Sequence, residues 1–252
     1  MKQGFLIPVY RHGKTACSLA ERLAATGLPV IIVDDGNDAE TGALLAECAA
    51  KTPGAALVSL GKNGGKGFAL IRGFKKAAEL GLTHVLQIDA DGQHDEGNIN
   101  FFLEESAKYP GMIICGYPEF DETAPKSRVT GRKISNFWAS VVTLSTELKD
   151  VLCGFRVYPV NKSLRAIRSP FMDKRMGFDP EIMVRLYWNK VYPVFHPIKV
   201  IYPAGGVSNF HMVRDNIRIS LMFTRLFFGM ILRLPLLIVR KINRGKKITG
   251  ET

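Results

Sequence analysis

Between residues 4 and 116 the apolar period of the sequence switches repeatedly, and that alternation restricts the fold more than any other feature. Phe5-Leu-Ile-Pro-Val-Tyr10, Val30-Ile-Ile-Val33, Ala55 to Leu60, the run holding Val85, Leu86 and Ile88, and Met112 to Cys115 are short and apolar, with turn residues at their ends. Runs of that kind are expected of strands buried on both faces of a sheet. Segments of helical spacing separate them. Apolar positions 16, 19, 20, 23 and 24 follow i, i+3, i+4, i+7, i+8, and Gly27 closes that helix as a C′ glycine would. Asn37, with Glu40 three residues on, reads as a capping box for a second helix carrying Leu44, Leu45 and Cys48. A third helix ends near Leu80-Gly81, and Ile99 to Lys108 is a fourth. Strand–helix–strand units with short links predict right-handed crossovers and an α/β fold with a mainly parallel sheet flanked by helices.

After Gly116 the pattern breaks. Pro118 to Arg132 is polar, mixed in charge and punctuated by Pro125 and Gly131, and reads as a mobile loop. A helix is expected over Ile134 to Glu147 and another from Phe178 through Trp188, with strand material in Val194 to Tyr202. A chain of 252 residues can bury one sizeable core. No repeat or low-complexity linker marks a boundary before about residue 205. The expected division is a catalytic domain over 1–205 and an amphipathic, basic tail over 206–252. Cys17, Cys48, Cys115 and Cys153 are scattered without a C-x-x-C pair, as in a reduced, cytosolic protein. The N-terminus enters a strand with no long apolar stretch before it, so no secretory signal is expected.

The chemistry gathers in His84-Val-Leu-Gln-Ile-Asp-Ala-Asp-Gly-Gln-His94. An apolar run stops there at two carboxylates one residue apart, Asp89 and Asp91. In open α/β sheets ligands sit beyond the carboxyl ends of strands. The pair can converge there on a hard cation, Mg²⁺ or Mn²⁺, with Gln93 adding an oxygen and substrate phosphates completing the shell. A solvated Asp-Gly turn is the alternative. Gly61-Lys-Asn-Gly-Gly-Lys-Gly67 fails as a P-loop, because Lys66 is followed by Gly67 rather than a hydroxyl residue. It also fails as a dinucleotide fingerprint, because Leu70 stands where the third glycine belongs. What remains is a glycine turn with two lysines at a helix N-terminus, either beside a phosphate or purely structural.

Taken in order, Pro8-Val-Tyr10, Asp34-Asp-Gly36, Asn63-Gly-Gly-Lys-Gly67, Asp89-Ala-Asp-Gly-Gln-His94 and Asp150 with Gly154-Phe-Arg156 resemble a family 2 glycosyltransferase with a GT-A fold. Within that family the set is most similar to polyprenyl-phosphate sugar synthases of the dolichyl-phosphate mannosyltransferase type, over roughly residues 4 to 190. The resemblance implies inverting transfer from a nucleotide-sugar donor to a lipid-linked acceptor. It implies that Pro8, Tyr10 and the Asp35 region hold the base and ribose, with Lys66 near the phosphates. Asp89, Asp91 and Gln93 would hold the metal that bridges the donor diphosphate. Where the acceptor is a hydroxyl, a carboxylate of Asp179-Pro-Glu181 would be the general base. Where it is a phosphate, no base is needed, and Arg128, Arg132 and Arg156, with Asp150, would form the acceptor site. The motifs leave that choice open. Glu181 as a cap or buried structural carboxylate, and Arg128 and Arg132 as a solvated face, are the alternatives.

The formal charge of +11 calls for an anionic partner, and much of it lies at the C-terminus. Arg214, Arg218, Arg225, Arg233, Arg240 and Arg244 would share one face of a continuous helix, with apolar residues between them and Pro235 as a kink. Arg225 and Arg233 interrupt any 20-residue apolar span, so the segment reads as a helix lying in an anionic membrane interface. This implies a protein peripheral on the inner face of the cell membrane. A core-packed helix or a homodimer interface is the alternative. No interleaved stacking pattern points to nucleic acid. A nucleotidyltransferase and a catalytically silent, basic membrane-binding module are the competing functional classes.

Overall fold

The computed structural model describes residues 1–93, 95–119, 126–199 and 211–249, and the side chains of 126–128 and 244–249 lie outside the description. Seven strands form one sheet: β1 (Gln3–Val9), β2 (Val30–Asp34), β3 (Ala55–Ser59), β4 (His84–Gln87), β5 (Ile113–Glu119), β6 (Arg156–Pro159) and β7 (Pro193–Lys199). Their order is β3-β2-β1-β4-β6-β5-β7. β1 pairs in parallel with β2 and β4, as β2 does with β3 and β5 with β7. β6 runs antiparallel to both neighbours, β4 and β5, so the sheet is mostly rather than wholly parallel. The chain winds outward from β1 to β3 on one side and resumes at β4 on the other. The crevice beyond the carboxyl ends of β1 and β4 is therefore the switch point where α/β sheets take ligands.

The strand runs form because both faces are buried. Leu6, Ile31, Val33, Val85 and Tyr158 enter one core, and Phe5, Ile7, Val30, Ile32, Leu86 and Val157 enter the other. Successive side chains of a strand point to opposite faces, so continuous apolar runs serve two layers. On the second face lie α1 (Gly13–Ala24), α2 (Ala39–Lys51) and α4 (Ile99–Lys108). The first face is covered by α3 (Lys66–Glu79), α5 (Lys126–Thr143), α6 (Val160–Ala166), α7 (Phe178–Trp188) and α8 (Met212–Ile231). The chain then turns into α9 (Leu234–Thr249).

Three sequence expectations change. First, Pro118 to Arg132 is not one long loop. β5 continues to Glu119 and α5 begins at Lys126, with 120–125 outside the described residues. The opening of α5 is polar in sequence, and a Cβ at Gly131 would meet nothing within 4 Å. Buried Ala139 and Val142 anchor the helix instead, and packing of such a face supplies most helical stability. Second, the cap of α2 is Asp38, whose carboxylate accepts from the Thr41 amide at 2.8 Å. Asn37 ties the strand ends together, donating to the Val9 carbonyl and to Asp34 while accepting from the Arg11 amide.

Third, α8 packs into the main core rather than standing apart from it. Met222, Phe223, Leu226 and Met230 of α8 are buried in the same core as Val142 and Trp188. α8 and the first part of α9 (234–243) meet at a bend of 74°, with Pro235 in the first turn of the second helix. Three arginines of the stripe turn inward. Arg225 reaches Glu181, Arg233 stacks on the Trp188 ring at 4.7 Å, and Arg240 donates to the Trp188 carbonyl at 2.6 Å. The outward face is apolar, with Ile217, Leu221, Phe228, Leu232, Val239 and Ile242 exposed. Among the described residues no single helix is long and apolar enough to cross a membrane, although the bent pair passes that test jointly.

Candidate active site

β4 stops at Gln87, and the chain leaves the sheet through buried Ile88 to Asp89. One oxygen of Asp89 accepts from Gln87 Nε2 at 3.1 Å, and the other accepts from Lys66 Nζ at 2.8 Å. Lys66 opens α3, and its ammonium also lies 2.9 Å from an oxygen of Asp179 in the first turn of α7. Beneath them Arg156, wholly buried on β6, donates to the Tyr158 hydroxyl at 3.1 Å and to the Asp179 carbonyl at 3.2 Å. The result is a row of alternating charge: Asp89, Lys66, Asp179, Arg156. Burial alone would lower the Lys66 pKa, but attraction from Asp179 and Asp89 outweighs it and holds the ammonium charged. Among the described residues Arg156 Nε and Nη2 and Asp179 Oδ1 are buried with no hydrogen-bond partner. The approach to β6 is equally tight, since a Cβ at Gly154 would collide with the Asp89 carboxylate.

Asp91 and Gln93 follow in a turn in which the Gln93 amide donates to Asp91 at 3.1 Å, with Gly92 at φ 71°. His94 lies outside the described residues. Among the described residues no group of three or more His, Cys, Asp or Glu side chains could cage a metal. Asp89 and Asp91 both lie past the end of β4, acids of the kind that can share a hard cation with substrate phosphates, although both Asp89 oxygens are engaged here by Gln87 and Lys66.

Asp35 is buried and binds the glycine loop. It accepts from the Gly64 amide at 2.8 Å, the Gly65 amide at 2.9 Å and Asn63 Nδ2 at 2.9 Å. Burial raises its pKa, and the two glycine amides offset only part of that rise. Two of the loop's amides are therefore engaged within the protein, and Lys66 carries the loop's positive charge to Asp89 and Asp179. The loop is braced from behind by Arg175, which donates to Asn63 Oδ1 at 3.0 Å, and by the Phe68 amide, which donates to the Lys174 carbonyl at 2.9 Å. Gly65, at φ 95°, caps α3 where any Cβ would strike Arg175. Pro8 stands opposite Val33 in the sheet, and Tyr10 follows the end of β1 with the Arg11 guanidinium 5.0 Å from its ring centre.

The second carboxylate of α7 faces elsewhere. Glu181 is wholly buried, with one oxygen held by Arg185 at 2.6 Å. Its other oxygen accepts from Arg225 at 2.7 Å and from the Asp173 amide at 2.8 Å. Arg132 makes a short ion pair with Asp150, which also accepts from the amides of Leu152 and Cys153. Arg128 lies in α5, but its side chain is outside the described residues. Thus Lys66, Asp89, Asp179 and Arg156 come together, while Glu181 and the Arg132–Asp150 pair form separate clusters. The sequence pointed to none of Gln87, Tyr158, Asp173 and Arg175 as site residues. Only the Glu181–Arg185 spacing of i, i+4 carried a local signal.

The family model for glycosyl transferase family 2 matches residues 5–196. An undecaprenyl-phosphate mannosyltransferase of Micrococcus luteus is 27% identical over 195 residues, 71% of this chain and 75% of that protein. A UDP-N-acetylglucosamine–dolichyl-phosphate N-acetylglucosaminyltransferase of Methanococcus voltae is 24% identical over 219 residues, 81% of this chain and 87% of that protein. Among solved structures, glucosyl-3-phosphoglycerate synthase of Mycobacterium tuberculosis, in complex with Mn²⁺, UDP and glucosyl-3-phosphoglycerate, superposes with a TM-score of 0.59 at 17% identity, covering 92% of this chain and 78% of that one. The mostly parallel sheet flanked by helices matches the GT-A architecture of such enzymes. With the family model spanning most of the chain, this protein belongs to glycosyl transferase family 2 and is a glycosyltransferase.

Proposed function

We propose that the protein transfers a sugar, with inversion, from a nucleotide-sugar donor to the phosphate of a polyprenyl-type lipid at a membrane surface. The observation that carries this reading is the Asp89–Lys66–Asp179 row at the switch-point crevice, with Asp91 beside it. Tyr10 and Pro8 border the nucleoside side of that crevice. Asp35 acts by holding the glycine loop, and Lys66 supplies a fixed positive charge toward the donor phosphates. Asp89, Asp91 and Gln93 are the residues that would hold Mg²⁺ or Mn²⁺. Such an ion offsets the charge that develops on the departing nucleoside diphosphate.

Glu181 supports a phosphate acceptor. Both its oxygens are engaged by two guanidinium groups and an amide, which is a poor state for a group that must take a proton. A phosphate oxygen is already ionised and needs no base. It attacks the anomeric carbon from the side opposite the leaving diphosphate, and one displacement inverts that centre. The relatives named for undecaprenyl and dolichyl phosphate favour the same class of acceptor. Arg132, held by Asp150, and Arg128 are assigned to the acceptor's approach, and Arg156 to support beneath Asp179. The exposed apolar side of α8 and α9 suits a helix pair lying in the membrane interface.

The test is product analysis with membranes supplying the acceptor and a panel of nucleotide sugars with Mn²⁺ or Mg²⁺. Release of nucleoside diphosphate together with an acid-labile lipid-linked sugar is expected. Release of pyrophosphate would instead make the protein a nucleotidyltransferase.

A further inference from the structure

A cleft of about 440 Å³ opens between α8 and the segment 170–175, away from the Asp89 row. Its wall carries four cations, Lys174, Arg175, Arg218 and Arg225, against one lining carboxylate, Asp173, which is turned onto the Arg175 amide. Among the described residues Arg218 Nη1 and Arg225 Nε are buried with no hydrogen-bond partner, although Arg218 lies 4.0 Å from an oxygen of Asp215 and Arg225 donates to Glu181 through another nitrogen. The cleft is thus lined by more positive than negative side chains, an arrangement that an anion would complete. Its rim is apolar. Phe171 is 67% exposed and Leu221 is 64% exposed, and Leu221 belongs to the outward apolar face of α8.

We infer that this cleft binds the phosphate headgroup of a membrane lipid, with the hydrocarbon leaving past Phe171 and Leu221. A free phosphate would satisfy the guanidinium groups but would leave the rim in water. An uncharged lipid would cover the rim but leave the cations unmatched. A phosphomonoester headgroup does both, because it carries up to two charges and three oxygens for the arginine forks. The site is distinct from the Arg132–Asp150 pair. It also touches the donor machinery, since Arg225 holds Glu181, Glu181 accepts from the Asp173 amide, and Arg175 braces the glycine loop. The inference deepens the membrane reading above and is measured by binding alone, without donor or turnover.

The experiment uses the full chain and phosphatidylcholine vesicles doped to equal surface charge with either phosphatidic acid or phosphatidylglycerol. The native protein is expected to prefer phosphatidic acid by about 10-fold, equivalent to about 1.4 kcal/mol. The double substitution Lys174→Gln with Arg218→Gln should abolish that preference with little change in Tm. The charge-matched pair Arg214→Gln with Lys241→Gln should weaken binding to both vesicles and keep the preference. Phe171→Ser should weaken vesicle binding without changing the affinity for inorganic phosphate. Equal behaviour of the two double variants, or no preference in the native protein, would overturn the inference while leaving general membrane binding intact. Phosphate binding with no effect of Phe171→Ser would make this a site for a soluble phosphate and overturn the lipid assignment.

Discussion

The substitution Glu181→Gln separates a catalytic base from a structural junction. Glutamine keeps the shape and one acceptor oxygen but removes the charge that Arg185 and Arg225 share. Arg185 is largely enclosed, while the side chain of Arg225 is 38% exposed, so solvent screens part of the second pair. Breaking a buried pair costs about 3–5 kcal/mol, and discounting the exposed arm leaves roughly 2–4 kcal/mol. In a domain of this size each kcal/mol shifts Tm by about 2–4 °C, so a loss on the order of 5–15 °C is expected. Once measured well below the new Tm, kcat should fall less than about 10-fold, against the 10²–10⁴ expected when a general base is removed. Calorimetry and single-turnover kinetics on the same preparation decide the matter. A near-native Tm combined with a drop in kcat of roughly 100-fold or more would refute the argument and restore Glu181 as the base.

Three further outcomes are expected. If Asp91 holds the proposed cation, Asp91→Asn should abolish transfer and Mn²⁺ binding with Tm nearly unchanged, because the half-buried side chain is outside the core; calorimetric Mn²⁺ titration checks this. Ending the chain before Met212 should prevent folding rather than release a soluble domain. Met222, Phe223, Leu226 and Met230 are buried, and at about 1.5–3 kcal/mol each they match the whole stability of a typical domain; circular dichroism of the truncated chain reads the result. Burial holds the His84 ring below its ordinary pKa, so the unfolded chain takes up the proton first as pH falls. Stability should be full above about pH 6.5 and decline below it until the folded ring protonates, and His84→Gln should flatten that slope in denaturant titrations.

The parallel half of the fold was legible because it is redundant. Each of β1, β2 and β4 feeds two cores, so apolar residues run together through β1 and β2 and through Val85 and Leu86 of β4, with glycines near the ends of these runs. β6 was not legible, because four residues containing a buried arginine carry no period, and their antiparallel place between β4 and β5 is set by partners far away in sequence. α8 shows the opposite difficulty. Its signal was strong but ambiguous, since a helix with apolar residues on both sides of an arginine stripe suits a bilayer and a core equally well. The structure buries one side in the core and leaves the other exposed, and Arg225, Arg233 and Arg240 fold back on Glu181 and Trp188 instead of reaching outward.

At the site, the two acids past β4 could be read directly, but their counter-charges could not. Lys66 comes from a loop whose glycines suggested phosphate binding by backbone amides, yet Asp35 already engages two of those amides. Asp179 and Glu181 look like one acidic element in sequence. On a helix, residues two apart point away from each other, by about 200°. The first turn of α7 therefore sends Asp179 toward Lys66 and Asp89 and sends Glu181 toward Arg225 on α8. One short acidic motif thus joins the donor crevice to the helix whose other side is exposed and apolar, and both carboxylates are held in place by their cations before any substrate arrives.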